Sequence, residues 1–503
     1  MTLDLKFSLI WPETLLTALL VLVMCMDMVL APEKRGRLLG VTAAGLGLIL
    51  LLLLTVGVPL GQAFHGTFAS DPFSIAVKIF LVLMLLSVVL VSRPWQARMG
   101  SMLGAHLLLV MASGIGMLAL ASANDLVLLF VALELATIPL MILTALDRAN
   151  PLAEEAALKF LITGSVASAF TVFGIALIWG YSGGTTNLQE LGGVVLGGNA
   201  SPALTFGTVL LFAGLGFKTA IAPFHVWVPD VYEGAPTPIT AFLAGGSKAA
   251  GFAALLRVGA ALFGGDPAVF DWPLTLAVLA GLTAILGNMA AMWQKNLKRL
   301  LAHASVGHAG FLLLGLAVLG TSGQNLGLTA LGYYMAFYAL AVALVFFAMG
   351  LVSRAGSGEA LSDYEGLAKR APGLTVALLV GVLSMGGIPL TAGFIGKIWL
   401  VAAVVKGAGE KTWLFGLAFA AGFAMVLSIV YTLMIMRTLY VAPGRDGESA
   451  VAVASWEKAA LFVMAALLIV FGVWPAPVMD AVGPVMADLF QIGQSSALIA
   501  AAR

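Results

Sequence analysis

Charge is scarce in this chain: Asp, Glu, Lys and Arg make up 10% of its 503 residues, against about 25% in a soluble domain. A sequence so poor in charge and 61% hydrophobic cannot clothe a water-facing surface. It reads as a polytopic membrane protein with almost no extramembrane domain. Cysteine is nearly absent too. The single Cys25 lies in an apolar run and excludes an internal disulfide, a CxxC redox pair and a thiolate-held cluster. Net charge is +1, so no basic surface offers itself to nucleic acid. No phosphate-binding loop, Rossmann glycine fingerprint in a βαβ context, haem-type CxxCH or nucleophile elbow is present. The chain alone has no means of binding a nicotinamide or carrying an electron.

What is there is a series of long apolar runs. A span needs about 20 such residues, and fourteen candidates are found: 8–30, 38–60, 73–92, 102–121, 124–145, 155–180, 203–224, 237–262, 272–292, 299–319, 328–352, 373–404, 413–440 and 457–478. The first is too long for a signal-peptide core, and its basic residues Lys34, Arg35 and Arg37 follow it. It is expected to be a retained helix. Lys and Arg in the loops then orient the bundle. Fifteen fall on one side; four, Lys6, Lys406, Lys411 and Arg503, fall on the other. Both termini are expected on the outer, periplasmic side.

Six basic residues and one acid remain inside the apolar runs: Lys78, Glu134, Lys159, Lys218, Lys248, Arg257 and Lys397. A charge at the bilayer centre costs about 2.5–3.5 kcal/mol on the mildest scale, so such residues mark pathways. The simplest use is movement of protons along a buried polar track. Lys78 and Arg257 lie near span ends and are expected to snorkel. Lys218, Lys248 and Lys397 are too central for that; Lys159 stands between. Glu134 beside a lysine stays charged. At about 4 Å and an effective dielectric near 20 such a pair is worth about 4 kcal/mol, so separating the two is enough to prompt proton release. Purely structural pairing of Glu134 is the plainer alternative. His303 and His308, five apart in one run, read as a relay or as hydrogen-bonding groups; they lack the further ligands a metal needs. His225 with Trp227 reads as interfacial, and Lys295, Lys298 and Arg299 as topology determinants.

Two spans carry helix breakers beside their lysines. Pro223 lacks an N–H and clashes with the carbonyl of Thr219, next to Lys218. Gly386, Gly387 and Pro389 precede Lys397. Freed backbone groups in lipid need protein or water partners. The coincidence suggests an inverted repeat, spans 4–8 echoed by 9–13. The expected organisation is residues 1–100 (three helices), 101–262 (first repeat), 263–441 (second repeat) and 442–503 (last helix and tail). The fold class is all-α, with two inverted five-helix repeats and broken helices 7 and 12. Gly245-Gly246, like Gly386-Gly387, is explained by close helix packing.

The segment Pro223-Phe224-His225-Val226-Trp227-Val228-Pro229-Asp230-Val231-Tyr232-Glu233-Gly234-Ala235-Pro236-Thr237-Pro238, continued by Gly246-Ser247-Lys248-Ala249-Ala250-Gly251-Phe252, resembles the antiporter-like subunits of the proton-pumping NADH:quinone oxidoreductase, respiratory complex I. The Tyr-Glu-Gly-Ala-Pro-Thr-Pro continuation is of the N type, and the likeness runs over essentially the whole chain. It implies a membrane-arm subunit of a translocase, in a bacterial inner membrane, with no redox chemistry of its own. NADH, FMN, iron–sulfur clusters and quinone are then expected in partner subunits, and neighbouring antiporter-like and small membrane subunits as partners. It implies that Glu134, Lys218, Lys248 and Lys397 carry protons, with Lys159 as a further lysine. The lateral helix of the L type is not expected. Two rivals stand: a cation/proton antiporter, against which the Tyr232–Pro238 run argues, and a structural spacer. With one membrane carboxylate, protons are favoured over sodium.

Overall fold

The computed structural model describes residues 6–197, 201–264, 269–355, 358–443 and 451–501; Arg503, counted above as an outer charge, lies outside them. The chain is helical nearly throughout. Helices α1–α6 are Trp11–Val29, Arg37–Thr55, Pro72–Ser92, Leu103–Ser122, Leu126–Thr144 and Pro151–Tyr181. α7 is Pro202–Thr219 and α8 is Thr237–Leu262. α9–α11 are Trp272–Ala291, Leu297–Ala317 and Gln324–Arg354; α12 is Pro372–Gly386 and α13 Ala392–Gly407. α14–α16 are Leu414–Tyr440, Ser455–Val473 and Ala476–Ala501.

Among the described residues 13 helices are long and apolar enough to cross a membrane. The remaining expected span, 373–404, is α12 followed by α13, each too short to qualify alone. The all-α expectation misses one small feature. β1 (Gly61–Ala63) and β2 (Phe68–Ser70) form an antiparallel hairpin. Its turn uses the left-handed conformation at Phe64, His65 and Gly66. Short side chains with oxygen acceptors start the helices: Asp71, Asp125, Asn150, Asn187 and Asn296 each accept from backbone N–H groups of a first turn. Those N–H groups have no intrahelical partner.

The residues divide into two compact units. The first comprises Met1–Thr219, Gly246–Trp272 and Val485–Arg503, and so holds α1–α7 and the lysine-bearing part of α8. Its helices approach closely where side chains are small. A Cβ on Gly174 of α6 would stand 2.6 Å from the carbonyl of Gly207 on α7, so only glycine permits that distance. The second unit comprises Ala220–Gly245 and Pro273–Pro484 and holds α9–α15. Here α10 and α11 are almost wholly buried, whereas α14 and α15 show Phe415, Phe419, Phe423 and Phe462 outward. A bundle in lipid has no reason to hide such residues, because acyl chains are as apolar as they are.

Candidate functional site

The break between α12 and α13 accounts for every carbonyl it frees. Gly387 takes the left-handed conformation (φ +74°). The Ile388 N–H donates to Leu383 (3.0 Å) and the Gly387 N–H to Ser384 (3.1 Å), a Schellman turn. Two orphan carbonyls remain, and side chains take both. Lys397 Nζ donates to Met385 (2.8 Å) and Ser428 Oγ donates to Gly386 (2.7 Å). Lys397 also donates to Ser428 Oγ at 3.0 Å and lies 4.7 Å from the centre of the Phe311 ring. The ammonium is fully buried. It is held by a carbonyl, a hydroxyl and an aromatic face, with no carboxylate among these partners.

The break after α7 is built differently. α7 ends at Thr219, the residue whose carbonyl the Pro223 ring would meet, and Ala220 adopts φ +61°. The Ala222–Pro223 peptide is cis. Lys218, the penultimate residue of α7, is buried, and its Nζ donates to Thr137 Oγ1 at 2.7 Å. Glu134, one turn before Thr137 on α5, accepts from Ser168 Oγ of α6 at 2.5 Å. Glu134 and Lys218 interact electrostatically but form no direct ion pair. Thr137, which accepts from Lys218, lies one turn beyond Glu134 on the same helix. The Lys218 stem packs on Gly251 of α8, where a Cβ would come within 2.9 Å. Lys248, three residues earlier on α8, is buried and follows a π-turn over Leu243–Ser247. Gly245 and Gly246 therefore belong to that turn rather than to a regular helix, and π-turns recur at functional sites.

The remaining sequence candidates separate. Lys159 is half-exposed and pairs with Glu155, four residues earlier, at 2.7 Å; it joins neither lysine site. His308 is buried, and its Nδ1 lies 2.5 Å from Tyr334 Oη, with the Tyr338 ring 4.6 Å from its own. His303 sits one turn from Arg299 and in electrostatic range of Arg299, His225 and Asp230. The two histidines thus serve different surroundings, as their five-residue spacing implies.

Three readings need correction. Lys78 does not snorkel: it is fully buried and pairs with Glu13 of α1 at 2.8 Å, its Nζ 4.7 Å from the Phe68 ring centre. Arg257 does not snorkel either. Its Nη2 grips both oxygens of Asp71 (2.9 and 2.8 Å) and its Nε donates to the Ala121 carbonyl at 2.6 Å. A nearby acid, and for Arg257 a carbonyl as well, binds each cation inside the bundle although both lie near span ends. Finally, Lys298 and Arg299 do more than set topology. Lys298 is buried, donates to Ala235 (2.8 Å) and pairs with Glu359; Arg299 spans Asp230 (2.6 Å) and Glu233 (2.8 Å). The acids of the Pro229–Pro238 run are thus anchored to the start of α10.

The family described as NADH:quinone oxidoreductase/Mrp antiporter, transmembrane, matches residues 123–428. The chain belongs to that family. Subunit N of NADH-quinone oxidoreductase from Moorella thermoacetica is 35% identical over 466 residues, covering 92% of this chain and 95% of that protein. Subunit 2 of NAD(P)H-quinone oxidoreductase from Synechococcus is 37% identical over 434 residues, covering 86% and 80%. Among solved structures, a chain of Thermus thermophilus respiratory complex I with bound aureothin superposes with a TM-score of 0.77 at 33% identity, covering 93% and 98%. A chain of the Mrp complex from Dietzia superposes at 0.83 with 22% identity, a likeness of fold. This member of the antiporter-like family is a multi-pass membrane protein.

Sequence reasoning missed the polar neighbours: Thr137, Ser168 and Ser428, and the acids Glu13 and Asp71. Hydroxyls in apolar helices commonly satisfy themselves on the preceding turn, as Thr137 also does on Leu133. Nothing in a single sequence tells which of them faces a lysine. Glu13 and Asp71 were legible only as helix-start acids.

Proposed function

We propose that this chain is a membrane-arm, antiporter-like subunit of an NADH:quinone oxidoreductase and moves protons from the cytoplasmic to the periplasmic side of a bacterial inner membrane. Oxidation of NADH and reduction of quinone, with FMN and iron–sulfur clusters, take place in partner subunits. Neighbouring antiporter-like and small membrane subunits are its partners, and both termini face the periplasm. The observation that carries the reading is the pair of buried ammonium groups at two broken helices, Lys218 and Lys397, in a chain whose relatives are such subunits. A lysine nitrogen held by hydroxyls and carbonyls has acceptors for its N–H groups in either charge state, and losing its proton strands no carboxylate partner in direct contact with it.

Within this reading Lys218, Lys248 and Lys397 carry protons. Glu134 sets the charge balance at Lys218, and its partner Ser168 holds it one turn from Thr137. Lys159, on an exposed face with Glu155, takes part from the surface of α6, and His303 and His308 are relay groups. The inverted repeats of residues 101–262 and 263–441 belong to the same reading. The test is Lys218→Met in the assembled complex, reconstituted in sealed vesicles. Loss of proton uptake with retained complex assembly supports the role. Full pumping coupled to NADH oxidation rejects it.

A further inference from the structure

Most buried hydroxyls in the second unit are satisfied. Ser428 donates to Gly386, Thr432 to Ser428, and Thr375 to Ala371. Among the described residues Tyr431 on α14 departs from this. Its side chain is wholly buried, yet its Oη has no hydrogen-bond partner among the described residues. A buried polar group left unmade costs about 1–3 kcal/mol, whereas phenylalanine in the same shape costs little. A helix that keeps the hydroxyl needs a reason for it.

Its position supplies one. Tyr431 lies one turn beyond Ser428, the residue that accepts from Lys397. It is in electrostatic range of Tyr334 and of Tyr338. Tyr334 is bonded to His308, and the Tyr338 ring lies against the same imidazole. Tyr334 also touches the lysine's own helix: a Cβ on Gly396 would stand 2.6 Å from the Tyr334 ring. Between Lys397 and His308, therefore, α10, α11, α13 and α14 contribute one ammonium, one imidazole and three phenols. Phe311 covers one face of Lys397 with an apolar ring, and Ser428 lies on another.

We propose that Tyr431 passes protons between Lys397 and the His308–Tyr334 pair, through a bridging water that its hydroxyl binds. The step balances without net chemistry at the phenol. Lys397 gives up one proton and becomes the neutral amine. The water accepts it and hands one of its own to the Tyr431 oxygen, as the Tyr431 proton passes to the Tyr334 oxygen and the Tyr334 proton to His308 Nδ1. His308 ends protonated, and rotation of the hydroxyl resets the site. Tyr431, Tyr334 and Tyr338 lie within electrostatic range of one another, so the bridging water would have the polar partners that a buried water needs. This inference rests on the reading of Lys397 as a proton carrier given above.

The experiment uses the assembled complex in sealed vesicles and measures NADH oxidation, proton uptake and complex yield together. In Tyr431→Phe, complex yield stays at the wild-type value. Proton passage through this subunit falls by about 10²-fold, the lower end of what a positioned acid–base group supplies, which reads as loss of this subunit's share of uptake. Wild-type uptake in Tyr431→Phe overturns the proposal. Lys397→Met separates the two levels. If it too pumps normally, the proposed function fails; if it alone fails to pump, only the Tyr431 step is wrong. Should Tyr431→Phe not assemble, 3-fluorotyrosine at position 431 replaces it, being more acidic at nearly the same size. The titratable groups in electrostatic range of that phenol are Tyr334 and Tyr338; Lys397 lies beyond Ser428 and His308 beyond Tyr334. A shift of the uptake-versus-pH profile to lower pH supports the step, and an unmoved profile overturns it.

Discussion

Replacing Lys78 by methionine should destabilise this protein severely, and a second substitution should undo the damage. Lys78 Nζ lies 2.8 Å from Glu13 Oε1 and is fully buried. At that distance and an effective dielectric near 20, the attraction is about 6 kcal/mol. Desolvating both ions costs several kcal/mol each, so the pair as a whole contributes little net stability. The asymmetry lies in the singles. Lys78→Met leaves Glu13 with its buried carboxylate uncompensated, at a cost of about 3–5 kcal/mol. Glu13→Gln leaves the ammonium against the Phe68 ring, which offsets only about 0.5–2 kcal/mol as a cation–π partner. The double variant Lys78→Met/Glu13→Gln removes both charges and should fall within about 1–2 kcal/mol of the parent, or exceed it. Denaturation of the purified protein in mixed micelles, following loss of helicity, gives the order. The expected order places parent and double variant together and both singles well below. A Lys78→Met protein as stable as the parent, or a double variant as weak as the singles, refutes the reasoning.

Further outcomes follow from the breaks and the second ion pair. Gly387→Ala should cost about 1–2 kcal/mol, since a Cβ is strained at φ +74° in the left-handed region and would press on the Lys397 stem; the same denaturation series measures it. Ala220→Gly should stabilise by up to about 1 kcal/mol, because Ala220 holds φ +61° and glycine adopts it freely. Ser428→Ala should cost about 1–3 kcal/mol by stranding the Gly386 carbonyl; hydrogen exchange should rise locally at α12 and α13. Arg257→Lys should loosen the hairpin end of α3, since an ammonium cannot reproduce a fork that grips Asp71 and the Ala121 carbonyl at once. Faster hydrogen exchange at residues 61–74 checks this, and unchanged exchange rejects it.

The hydrophobic pattern alone located thirteen helices long and apolar enough to span a membrane among the described residues, because the bilayer imposes a similar length on every helix that spans it. The breakers announced both interruptions, since proline and paired glycines both weaken an apolar helix, although Pro139 stays inside α5. Composition argued for a polytopic membrane protein, and the Pro223–Pro238 run was enough to suggest the family. Partnership was another matter. That Lys218 meets Thr137 rather than Glu134, that Lys78 is claimed by Glu13, and that Arg257 closes on Asp71 each depend on residues 60 to 190 positions away. A helix fixes which face a side chain occupies along its own axis; only packing between helices decides what that face meets. In lipid a buried charge takes whichever partner that packing brings within reach.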